Sequence, residues 1–114
     1  MKTSDLAKKI CKAASDKKAS EVITMDMRNV MFSTDYFVVC SAQTATQVRA
    51  IADNIEEELD KEEIHFTHRE GYQEGEWILL DYGDVVAHIF KEESRQYYAL
   101  EQLWNEAKIK LYEE

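Results

Sequence analysis

Residues 77–90, WILLDYGDVVAHIF, set two acids and a histidine inside a run that otherwise reads as buried strand. Gly83 supplies the positive φ that a tight turn asks for, so Tyr82 and Gly83 are predicted to join two strands, at 77–81 and 84–90. In that register Asp81 lies opposite Asp84, Leu80 opposite Val85, Ile78 opposite Ala87 and Trp77 opposite His88. Side chains alternate across a sheet. One face then carries Ile78, Leu80, Val85, Ala87 and Ile89, with no polar group, and belongs under helices. The other carries Trp77, Leu79, Asp81, Asp84, Val86, His88 and Phe90. A core does not hold unpartnered charges, and a plain solvent face does not hold so much apolar bulk. The mixture fits a binding patch anchored by a tryptophan. The alternative is that the C-terminal segment folds back over Trp77 and Phe90.

Outward from this hairpin, the pattern gives a mixed α/β order. Leu6, Ile10, Ala13 and Ala14 recur at helical spacing from about Ser4 to Asp16, with Thr3 or Ser4 as cap. SEVITMDM (20–27) alternates as a strand, and DYFVVCS (35–41) is a short β-branched and aromatic run typical of a strand covered on both faces. Thr44 followed by Gln47 forms a capping box ahead of the stripe Val48, Ile51, Ala52, Ile55 and Leu59. IHFTHRE (64–70) is a weaker strand. Tyr97, Leu100, Leu103, Trp104, Ala107 and Leu111 are spaced for a closing helix. The expectation is one α/β domain over residues 1–114, with a mixed five-stranded sheet and helices packed mainly on one face.

Composition narrows the function classes. The 114 residues are 45% hydrophobic and 32% charged, enough for one modest core. Fourteen Lys and Arg against 23 Asp and Glu leave a formal charge of −9. Nucleic-acid binding means neutralising phosphates with cations, so little direct nucleic-acid contact is expected, and basic partners are favoured. Lys8, Lys9, Lys12, Lys17 and Lys18 read as the solvated face of the first helix. Cys11 and Cys40 read as small core residues, which gives no secreted disulfide scaffold. No signal segment opens the chain and no apolar run approaches the ~18 residues of a membrane span, so a soluble, cytoplasmic protein without membrane contact is expected. Glycine occurs only at 71, 75 and 83, and proline not at all, so there is no Gly-rich phosphate loop.

Three chemistries compete for the polar residues. Asp81, Asp84 and His88 are of metal-ligating type, but acids at a tight turn also bond their own backbone, and His65 and His68 fall on opposite faces of a strand. A general base at His88 lacks a nucleophile: Cys40 is buried in apolar surroundings, and Ser33, Ser41 and Ser94 lie in no nucleophile elbow. A small nucleotide- or metal-dependent enzyme is the alternative function. An interaction module centred on Trp77, with Lys91, Arg95 and the Tyr97–Tyr98 pair beside it, needs neither metal nor cofactor.

DKKASEVITMDM, TDYFVVCSAQTATQVRAIADNI, EGYQEGEWILLDYGDVVAHIF and RQYYALEQLWNEA together resemble the ribosomal silencing factor, or Iojap, family over nearly the whole chain. The third segment is the most specific, with Trp77, Asp81, Gly83, Asp84, His88 and Phe90 in family positions. The resemblance implies a nucleotidyltransferase-like topology without enzymatic activity, since the glycine–serine loop and paired metal-binding acids of active nucleotidyltransferases are missing. It implies binding to protein fourteen of the large ribosomal subunit, at the face where the subunits meet. Subunit association is then blocked and translation repressed in stationary phase or starvation. It also implies a homodimer when free, and no cofactor. The protein-binding role falls on Tyr72, Trp77, Leu79, Asp81, His88, Lys91 and Tyr98, with Trp77 as anchor, Asp81 and His88 as polar contacts, and Asp81 meeting a Lys or Arg of the partner.

Overall fold

A computed structural model describes residues 2–113. The chain runs α1 (Thr3–Asp16), β1 (Ser20–Asp26), β2 (Tyr36–Ala42), α2 (Ala45–Asp60), β3 (His68–Glu70), β4 (Trp77–Asp81), β5 (Val85–Lys91), α3 (Glu92–Tyr98), α4 (Leu100–Leu103) and β6 (Lys108–Leu111). The strands form one sheet in the order β3-β4-β5-β2-β1-β6. Only β2 and β5 are parallel; every other pair is antiparallel. The sheet is mixed, as expected, but has six strands rather than five. The sixth comes from the segment predicted as a closing helix.

That helix stops because Ala99 takes a left-handed conformation, with φ 44°. A single turn, α4, follows. Lys108–Leu111 then pairs with β1 as an edge strand, putting Lys108 opposite Asp26 and Ile109 opposite Met25. The sequence KIKL alternates charge with bulk, which is the period of a strand; the wider spacing of Tyr97, Leu100, Leu103, Trp104, Ala107 and Leu111 hides it.

The first helices form as their sequences dictate. Thr44 caps α2 by accepting the Gln47 backbone N–H at 3.2 Å. Val48, Ile51, Ala52, Ile55 and Leu59 are buried along one stripe. In α1 the cap position falls on Lys2, with no side-chain cap bond. Thr3 is instead the first helical residue, and its hydroxyl donates to the Asp35 carboxylate at 3.0 Å. Both helices bury their stripes on one sheet face, against Val22, Val38, Cys40, Ile78, Leu80, Val85, Ala87 and Ile89. The predicted apolar face of the hairpin is therefore the face under the helices.

The opposite face holds a second core of Ile23, Met25, Phe37, Val39, Val86 and Phe90, closed by Leu100, Trp104 and Ala107 from the C-terminal segment. With Val38 and Val39 facing opposite ways and both buried, β2 is covered on each side, as its continuous apolar run predicts.

Candidate protein-docking face

The hairpin register differs from the sequence expectation by two residues. Trp77 pairs with Phe90, Leu79 with His88 and Asp81 with Val86. The turn residues are Gly83 and Asp84, because Tyr82 N–H still bonds Val85 O at 2.9 Å. Asp81 decides the register: its carboxylate accepts the Gly83 N–H at 2.7 Å, which holds Gly83 at φ 87° as the first turn residue. A shift of two residues leaves every side chain on its expected face.

Trp77, Leu79, His88 and Tyr98 converge. The Tyr98 ring, from α3, lies 4.7 Å from the Trp77 ring, centroid to centroid. Trp77 also stacks on Phe90 at 4.9 Å. The indole N–H donates to His88 Nδ1 at 3.0 Å, so Nδ1 is unprotonated and the His88 proton sits on Nε2. Burial pushes the His88 imidazole down to about 4, which keeps it neutral. Its Nε2 is buried with no hydrogen-bond partner among the described residues.

This face is not left bare. His88 is 4% exposed and Phe90 1%, Trp77 and Leu79 are half-buried, and Tyr98 is 48% exposed. The C-terminal segment covers the inner part, over Phe37, Val39 and Phe90, and leaves an outer rim. His88 belongs to the covered part, so its polar edge presents nothing to solvent. Asp81 is four residues along β4 from Trp77, about 13 Å at strand rise, and one of its oxygens is engaged in the turn. Tyr72 lies on the helix side: its hydroxyl donates to Asp53 of α2 at 2.9 Å, and Arg69 stacks on its ring at 4.5 Å. Lys91 pairs with Glu76 at 3.7 Å.

The sequence reading missed the acids around the tryptophan. A cleft of about 570 Å³ is lined by Trp77, Tyr97 and Tyr98 together with Glu74, Glu76 and Glu93. Tyr97 is 82% exposed. Glu76 is oriented by Ser94, whose hydroxyl donates to it at 2.9 Å. Aromatic faces beside carboxylates attract ammonium and guanidinium groups by cation–π and ionic attraction. The EGYQEGEW stretch carried the signal, since Glu74 and Glu76 precede the tryptophan by three residues and by one. The fold is what brings α3, with Glu93, Tyr97 and Tyr98, alongside them.

Among the described residues no three His, Cys, Asp or Glu side chains gather closely enough to share a metal ion. Cys11 and Cys40 are buried free thiols, each pushed up to about 12 by burial. No helix among the described residues is long and apolar enough to cross a membrane.

Comparison with known proteins places this geometry in a family. The model of the family described as ribosomal silencing factor during starvation matches residues 1–114. The ribosomal silencing factor RsfS of Bacillus subtilis (strain 168) is 39% identical over 97 residues, 85% of this chain and 82% of the relative. That of Halalkalibacterium halodurans is 36% identical, over 94% of this chain and 92% of the relative. The maize chloroplastic protein Iojap is 30% identical over 86% of this chain, which spans 42% of that longer protein. A crystal structure of a Chromobacterium violaceum protein superposes with a TM-score of 0.89 at 30% identity, covering 92% of this chain and 88% of the other. The family comprises ribosome-associated regulatory factors and is not an enzyme family. On a match that spans all 114 residues, the chain belongs to the ribosomal silencing factors.

Proposed function

We propose that this protein docks on protein fourteen of the large ribosomal subunit, at the face where the subunits meet, and so blocks subunit association and represses translation in stationary phase or starvation. The observation that carries the reading is the aromatic and acidic cleft around Trp77. Trp77, Tyr97 and Tyr98 offer partly exposed ring surface, and Glu74, Glu76 and Glu93 surround it with negative charge. Such a cleft accepts a Lys or Arg of a basic protein together with its aliphatic stem. Leu79 extends the apolar surface, and the formal charge of −9 keeps the body of the protein off neighbouring RNA. Asp81 and His88 act mainly inside the chain, the first by setting the hairpin turn and the second by orienting Trp77.

Repression is steric: a bound domain occupies the surface the small subunit needs, and no chemical step is involved. The same half-apolar rim pairs two copies of the free, cytoplasmic protein, so docking and self-association compete. The mixed sheet is read as nucleotidyltransferase-like in topology, a kinship of architecture that carries no activity.

Trp77→Ala tests the reading. Truncating a central interface aromatic costs about 2 kcal/mol or more, roughly thirtyfold in affinity. Co-sedimentation with purified large subunits should show that loss, and a sucrose gradient should show restored subunit joining. A folded Trp77→Ala protein that still co-sediments fully would remove the cleft from the interface.

A further inference from the structure

A second cleft lies on the opposite, helix-covered face, where the sheet extends past its cover. α1 packs on β1 and β2, and β6 adds one strand beyond it. The gap between α1 and β6 encloses about 570 Å³, within the range of small-molecule sites. Its floor is Ala7 and Cys11 of α1, both buried. Strand parity aims Thr24 and Lys110, which are paired across β1 and β6, into the same space.

The lining is unlike the rest of this acidic chain. It carries two ammonium groups, Lys8 and Lys110, and the hydroxyls of Ser4, Thr24, Tyr36 and Tyr112, against one carboxylate, Glu113. Neither lysine has an ion-pair partner among the described residues, and none of the four hydroxyls has a hydrogen-bond partner among them. Several other basic side chains are engaged: Lys9 with Glu62 at 2.7 Å, Lys61 with Glu58 at 2.7 Å, and Arg28 with Asp26 at 2.6 Å. In a chain with 23 acids and 14 bases, two lysines that converge with four free hydroxyls on an apolar floor are arranged for an anion from outside.

We propose that this cleft binds a small phosphomonoester with an apolar or aromatic body. The phosphate is held between Lys8 and Lys110 with hydroxyl donors around it, and the body rests on Ala7, Cys11 and the tyrosines. Lysine and hydroxyl donors match phosphate oxygens, and the apolar floor matches a base or ring. The cleft is a binding site, not a catalytic one, and it is independent of the Trp77 face.

Nitrogen-15 spectra of the full chain, titrated with adenosine monophosphate, inorganic phosphate and adenosine, decide the matter. The expected result is saturable movement of the Ser4, Cys11, Thr24 and Lys110 amides with adenosine monophosphate, weaker movement with inorganic phosphate, and none with adenosine. Lys8→Gln and Lys110→Gln should each weaken binding roughly tenfold, while Lys9→Gln, whose lysine serves Glu62, leaves it unchanged. All three lysines are exposed, so the variants fold and their dispersed spectra verify it. No saturation with either phosphate probe would overturn the proposal. So would adenosine binding as well as its monophosphate, or undiminished binding in both cleft-lysine variants. Co-sedimentation of Lys8→Gln with large subunits stays at the wild-type level, so failure of one site says nothing about the other.

Discussion

His88 is held neutral by its surroundings, and stability reports this directly. It is 4% exposed, with its ring 4.5 Å from that of Phe37 and its Nδ1 bonded to Trp77. Its folded value of about 4 lies below the ordinary 6.5. Above pH 6.5 the imidazole is neutral in both states and contributes no pH dependence. As pH falls below that value the unfolded chain takes up the proton first, so stability drops until the folded state also protonates near pH 4. The whole loss is roughly 3 kcal/mol. Urea unfolding at pH 7.5 and at pH 5 should therefore show a steeper decline for the wild type than for His88→Gln. Parallel declines would mean that His88 is not buried as a neutral ring. The sequence showed that a histidine shared a face with Trp77, but not that it lay beneath the C-terminal segment. That knowledge depends on Leu100, Trp104 and Ala107, far along the chain.

At the scale of elements, two glycines separate backbone freedom from space. Gly83 has φ 87° and open surroundings, so Gly83→Ala carries only the left-handed penalty of about 1–2 kcal/mol. Gly71 has φ 80°, and a Cβ there would meet the Trp77 carbonyl oxygen at 2.0 Å. Gly71→Ala must push the start of β4 aside, and it should lower the melting temperature well below that of Gly83→Ala. It should also weaken large-subunit binding, because the displaced residue is Trp77. Equal melting temperatures would show that the 71–77 approach is loose. The hairpin's two faces were legible because alternation survives a slip of two residues. The register was not, because it rests on one Asp81 carboxylate bonding a backbone N–H. α2 was legible from Thr44 and its stripe. The C-terminal helix was misread because a single left-handed alanine at 99 leaves no mark in apolar spacing, and because a four-residue edge strand is short enough to pass for a helical turn.

For the whole molecule, the question is whether charge acts as a general field or at a place. The chain carries −9 overall, and this alone speeds encounter with any basic protein at low salt. The aromatic cleft concentrates three of those charges, on Glu74, Glu76 and Glu93. Replacing these three by Gln removes the same charge as replacing Glu57, Glu62 and Glu63, which lie on and just after α2 on the other side of the sheet. Against the proposed partner, protein fourteen of the large subunit, a general field makes the two triple variants associate equally slowly. Local docking makes the cleft variant slower by severalfold or more and leaves the α2 variant near wild type. Charges at a rim act on association more than on dissociation, so the difference belongs in the association rate. It should also shrink as salt rises, because the screening length falls from about 10 Å at 0.1 M to about 3 Å at 1 M. Stopped-flow association over that range separates the cases. Equal slowing of both triple variants would leave Trp77 with no electrostatic partner and reduce the cleft to an accident of packing between α3 and the loop before β4.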